Sequence, residues 1–100
     1  MKNQIRFRVH GRVQRVRYRE STVTRAQELD IVGWVANCAD GTVEGVAQGE
    51  EDDLVDFEIW LHLGPPKAEV YDVDKKWESA GAAFTKFTNG RPDSVQTGSC

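Results

Sequence analysis

Cysteine and histidine are scarce in this chain, and the scarcity narrows its chemistry. Cys38 and Cys100 are its two cysteines, and His10 and His62 its two histidines. The cysteines lie far apart, with no CxxC spacing and no dense cluster of soft ligands, so a metal site gains no support. Two free thiols in a reducing compartment are the favoured reading, and a bridge tying the C-terminus to the domain is the other. No apolar run approaches the roughly eighteen residues of a membrane span. The opening segment "MKNQIRFRVHG" has a basic start but neither an apolar block nor a small-residue cleavage site after it, unlike a secretory signal. A soluble, cytoplasmic protein with no membrane partner is the expectation.

What remains is ordinary globular material. The chain has 100 residues, 39% hydrophobic and 29% charged, enough for one core and not for a second domain. Its net charge of -3 hides an asymmetry. Residues 1–25 carry eight basic side chains against the single acid Glu20, whereas the remainder carries five against fifteen. A positive end on an acidic body suits a local site for a small anion better than a nucleic-acid surface, which needs phosphate contacts spread along one face. Arg6 and Arg8 alternate with Ile5, Phe7 and Val9, so pairing with acids across a sheet is the favoured reading for those two.

Periodicity sets out the elements. "QIRFRVH" alternates like a strand with one buried face, and Gly11 opens a loop to about Tyr18. "RESTVTRAQELD" has no Gly or Pro and sets Val23, Ala26 and Leu29 on one helical side. "IVGWVANCADGTVEGVAQG" reads as a hairpin about Asp40-Gly41. "EEDDLVDFEIWLHLG" places four acids at a helix start and stops at Gly64-Pro65-Pro66. "AEVYDVDKKWE" is a strand, "AAFTKFT" a shorter and weaker one, and "NGRPDSVQTGSC" a polar tail. The order predicts an α+β, ferredoxin-like βαββαβ sandwich: an antiparallel four- to five-stranded sheet with two helices on one face. A domain over residues 1–88 and a mobile tail over 89–100 are expected. Such a fold assigns no function by itself.

The chemistry is sought where a loop meets a helix. A glycine-opened loop can curl its N–H groups around an anion, and the helix end adds partial positive charge. Residues 11–18 have that position, and Arg19 is placed to offer a bidentate fork to two phosphate oxygens. By itself the pattern is common, since many loops carry an arginine before a helix. Asn37, three residues before Asp40-Gly41, is by itself as ordinary as any strand-end hydrogen bonder.

Taken together, these segments resemble the acylphosphatase family. "VHGRVQRVRYR" (9–19), "GWVANCADGTVE" (33–44), Gly49, "WL" (60–61) and "GPPKAEV" (64–70) follow its order and spacing. The likeness runs from about Ile5 to Trp77. It implies the ferredoxin-like sandwich, no metal or organic cofactor, and hydrolysis of the carboxyl-phosphate bond of acyl phosphates to carboxylate and inorganic phosphate. By position it implies Arg19 as the phosphate-binding arginine and Asn37 as the water-positioning asparagine. Gly11, Arg12, Val13, Gln14, Arg15 and Val16 fall in its phosphate-binding loop. Neither histidine falls in these motifs, and both are read as structural or exposed.

One departure lies inside the loop: Arg15 stands where the family usually has glycine. If that position demands a positive φ, a Cβ there costs on the order of 1 to 2 kcal/mol. The departure leaves a second reading, a catalytically impaired phosphate- or anion-binding module. An RNA-binding role is disfavoured, because the basic-Gly-aromatic signature of RNA-recognition sheets is absent and the total charge is negative. A free-standing monomer is expected rather than a domain of a larger carbamoyltransferase.

Overall fold

The computed structural model describes residues 3–81 and 83–91. Its elements are β1 (Asn3–Arg12), α1 (Tyr18–Glu28), β2 (Val32–Asn37), β3 (Val43–Gly49), α2 (Glu51–Leu63), β4 (Glu69–Ser79) and β5 (Phe87–Asn89). The sheet order is β4-β1-β3-β2-β5. The first four strands pair antiparallel, and β5 joins β2 in parallel. The sheet is therefore mixed, not wholly antiparallel. β5 follows β4 by a connection that recrosses the sheet, and it covers only the last part of the weak strand expected over 82–88.

Alternation along β1 decides which face is buried. Ile5, Phe7 and Val9 are fully buried and meet Leu54, Phe57 and Leu61 of α2 together with Tyr18 and Ala26 of α1 in one core. Rings interlock there: Phe57 stands edge-on to Phe7 at 5.8 Å and to Phe87 at 5.9 Å between centroids. On the opposite face, Arg6 pairs with Glu78 at 3.5 Å and Arg8 with Glu44 at 3.3 Å, as the cross-strand reading expects. A small second cluster of Trp34, Ala36 and Val46 lies on that face, with Phe84 against it.

Val70 and Val73 are three residues apart, which breaks strand alternation. The ladder supplies the reason: His10 faces Asp72 while Gly11 faces Val70, so one extra residue bulges out of β4. The bulge brings both valines to the core side. It also corrects the expected loop start. Gly11 does not open the loop; it lies within β1 at φ 131, where a Cβ would run into the Glu69 carbonyl. The loop begins at Val13 instead.

Asp30, at φ 56, takes the left-handed conformation that stops α1. Gly64, at φ 65, ends α2. Of the side chains expected on the buried face of α1, Ala26 is buried, Val23 and Leu29 are only partly so, and Thr22 takes a fully buried place. Its hydroxyl donates to the Tyr18 carbonyl at 2.7 Å, so burial leaves no unpaired donor. Cys38 is disulfide-bonded, which corrects the preference for free thiols; sequence spacing does not decide pairing. Cys100 and most of the expected tail, residues 92–100, lie outside the described residues.

Candidate active site

Residues 13–17 turn the chain from β1 into α1, and two of them do so at positive φ: Arg15 at 64° and Arg17 at 63°. Left-handed residues spaced in this way swing successive N–H groups toward one concave side, the geometry of an anion nest. Arg17 is also the N-cap of α1, and no side chain among the described residues caps the helix. The first helical bond of that turn runs from Ser21 N to Arg17 O at 3.0 Å, leaving the preceding amides to face the loop. Helix end and nest together form a positive, donor-rich concavity.

The loop is pinned from both sides. Val13 is buried in the core. The Gln14 side-chain amide donates to the carbonyls of Cys38 at 2.8 Å and Thr42 at 2.9 Å, so the loop is tied to the β2–β3 turn. That turn is itself held, since Asp40 Oδ1 accepts from the Thr42 hydroxyl at 2.6 Å and from its N–H at 3.0 Å. These hydrogen bonds, the hydroxyl first, hold the Asp40 carboxyl below the usual aspartate value. At the start of α1, Tyr18 is buried against Trp60 and its hydroxyl donates to the Leu61 carbonyl at 2.7 Å. Burial pushes the Tyr18 phenol upward, so it stays a neutral anchor between the helices.

A cleft of about 240 Å³ opens between these parts, lined by Arg15, Arg17, Arg19 and Glu20 of the loop and helix, by Val13, and by Asn37 at the end of β2. The structure thus brings together Arg19 and Asn37, eighteen positions apart in the chain. Arg19 Nη1 donates to Asn89 Oδ1 at 2.9 Å. Asn37 Oδ1 is buried and, among the described residues, accepts no hydrogen bond. An unpaired carbonyl oxygen at the wall of a polar cleft is suited to accept from a small donor such as water. Gly11 and Arg12 lie at the end of β1, and neither lines the cleft; Val16 faces the neighbouring groove. Gln14 acts through its strut.

Both histidines lie elsewhere. His10 Nε2 meets Asp74 at 2.7 Å and His62 lies 3.8 Å from Glu58. No group of three or more His, Cys, Asp or Glu among the described residues is placed to hold a metal. Among the described residues no helix is long and apolar enough to cross a membrane. Sequence reasoning missed Asn89, because three strand residues at the far end of the chain carry no local signal that they meet the start of α1. Arg91 was missed for the same reason: it spans the Trp34 ring at 5.6 Å and pairs with Glu44 at 3.4 Å.

The acylphosphatase family profile matches residues 5–89, which takes in the loop, Arg19, Asn37 and Asn89. The chain belongs to the acylphosphatase family. An acylphosphatase of Synechococcus sp. (strain RCC307) is 44% identical over 94 residues, 93% of this chain and 78% of that protein. Among solved structures, an acylphosphatase from Coxiella burnetii superposes with a TM-score of 0.84 at 37% identity, covering 89% of this chain and 93% of that one. An acylphosphatase from Bacillus subtilis gives 0.86 at 31% identity, with 89% and 99% covered. Membership makes this chain a hydrolase of acyl phosphates, and no finding favours an impaired binding module in its place.

Proposed function

We propose that Arg19 and Asn37 divide the work of hydrolysing an acyl phosphate in this cleft, Arg19 holding the phosphoryl group and Asn37 the attacking water. The reading is carried by one observation, that both side chains line the same cleft at the uncapped start of α1. The Arg19 guanidinium and the amides of residues 13–16 bind the equatorial oxygens, where charge spreads in a loose transition state. Arg12 and Gly11 support the loop from the end of β1.

Asn37 Oδ1 accepts a hydrogen bond from water and aims its lone pair at phosphorus. The water oxygen–phosphorus bond forms as the bond to the acyl oxygen breaks in line with it, and the carboxylate leaves. The water's proton passes to a phosphoryl oxygen, giving inorganic phosphate. A carboxylate is already a good leaving group, so positioning and charge stabilisation suffice and neither histidine is needed. No metal or organic cofactor enters the reading.

Arg15 fits this scheme. It reaches the left-handed conformation despite its Cβ, so its amide keeps its place in the nest and its cation is added to the wall. The cytoplasmic and monomeric parts of the reading rest on the small acidic body; thiol alkylation in fresh cell extract tests the first and light scattering the second.

The test is steady-state hydrolysis of benzoyl phosphate without added metal. Asn37→Ala is expected to lower kcat about 10²- to 10³-fold with inorganic phosphate still bound, as for loss of one transition-state hydrogen bond. Arg19→Ala is expected to abolish most binding and turnover alike. Small and equal effects from both would remove the assignment.

A further inference from the structure

We propose that the groove adjoining the cleft is a subsite for an acyl group that carries a second anion at its far end, as the monophosphate of a dicarboxylic acid does. The proposal rests on the acyl phosphate reading of the cleft itself. A groove of about 440 Å³ continues from the cleft, with Arg15 and Arg17 lining both. Its far side is formed by Ser21, the Pro65-Pro66 pair and Lys67.

In-line chemistry selects this groove for the acyl group. Water attacks from the Asn37 side, so the carboxylate departs on the opposite side of phosphorus. The groove shares Arg15 and Arg17 with the cleft but does not include Asn37. It is where the departing half of the substrate has room.

Charge then selects the kind of acyl group. Arg6, Arg8, Arg25, Lys75 and Arg91 each pair with a carboxylate. Arg15, Arg17 and Lys67 take part in no ion pair among the described residues, and no Asp or Glu lines the groove. Three uncompensated cations around one groove, in a chain of net charge -3, make a local anion field.

The backbone at Lys67 is also held in place. Gly64 ends α2 and two prolines follow, while Ala68 N donates to the Pro65 carbonyl at 3.0 Å, closing a turn that carries Lys67. Two fixed φ angles and a closed turn lower the backbone share of the entropy lost when a ligand is bound there. The proline rings supply an apolar wall for the methylene part of the acyl chain.

Succinyl phosphate and butyryl phosphate differ by a terminal carboxylate against a methyl group and are otherwise matched in length. The wild-type protein is expected to favour succinyl phosphate by about tenfold in kcat/KM, since exposed ion pairs are worth a few-fold each and more than one cation contributes. Lys67→Glu should bring that ratio to unity or below. Lys76→Glu, an equal change of net charge in a different cavity on the sheet, should leave the ratio near its wild-type value.

A ratio unmoved by Lys67→Glu overturns the subsite, as does an equal fall in both variants, which would mean only a long-range field. Failure to hydrolyse either substrate overturns the acyl phosphate reading and the subsite with it. That result differs from turnover of both at an unchanged ratio, which removes the subsite alone.

Discussion

Arg19 Nη1 donates to Asn89 Oδ1 at 2.9 Å, joining the second residue of α1 to the last residue of β5. The acceptor is a neutral amide. It fixes the guanidinium without cancelling the positive charge that a phosphoryl group needs, and β5 is held beside β2 by its parallel ladder and by Gly90 N donating to Val35 O at 2.7 Å. The segment that orients Arg19 is therefore paired to the strand that ends in Asn37.

Asn89 is accordingly a positioning residue. Asn89→Ala should raise KM for benzoyl phosphate about three- to tenfold with a smaller loss in kcat, because a freed arginine must be reordered on binding. Asn89→Asp should be worse, since a carboxylate competes with phosphate for the same guanidinium. Equal kinetics for the two variants would show that Asn89 acts only by supporting β5.

The Gln14 strut gives a stability prediction. Its amide meets two backbone carbonyls that are otherwise left without this partner, and hydrogen bonds of this kind are worth about 1 kcal/mol each. Gln14→Ala should lower unfolding stability by about 1 to 2 kcal/mol in urea and depress kcat by loosening the loop against Asn37. Full stability with normal kcat would mean that Val13 and α1 alone hold the loop.

How much of this was legible in the sequence differs from part to part. Period-two alternation in Ile5, Phe7 and Val9, and the helical spacing of Leu54, Phe57 and Leu61, arise from burial on one face, and both appear in the core as read. Arg19 was singled out by its place where a loop meets a helix, and Asn37 was joined to it only through a resemblance; no spacing rule sets Arg19 against Asn37, because a loop and a strand end meet only after the sheet forms. Gly11 was misplaced because a glycine in a bulged strand and one at a loop start look alike until the neighbouring strand is present. Asn89 and Lys67 act through contacts or grooves made by segments distant in sequence, which local pattern does not encode.

Arg15 offers a test of strain against function. A residue with a Cβ in the left-handed region costs about 1 kcal/mol, and glycine gives back part of the gain through its freer unfolded chain. Arg15→Gly should leave stability unchanged or raise it by up to about 0.5 kcal/mol, while removing a cation from the cleft wall raises KM a few-fold. A stability loss above about 1 kcal/mol would show that the Arg15 side chain packs in a way its exposure does not suggest.

Asp40 sets the direction of one pH effect. Its folded carboxyl titrates below the usual aspartate value because Thr42 donates to it twice, with Arg8 at 3.7 Å adding attraction. The unfolded chain therefore takes up its proton first as pH falls. The ionised carboxylate contributes its stability fully above about pH 4, the ordinary aspartate range, and that contribution is lost as pH drops through the lower folded value. Asp40→Asn keeps an acceptor oxygen for Thr42 but has no charge to lose. Urea midpoints of the two proteins should differ at neutral pH and converge as the pH is taken well below 4. A difference that stays constant across that range would mean that the turn depends on the shape of the side chain, with its charge playing no part.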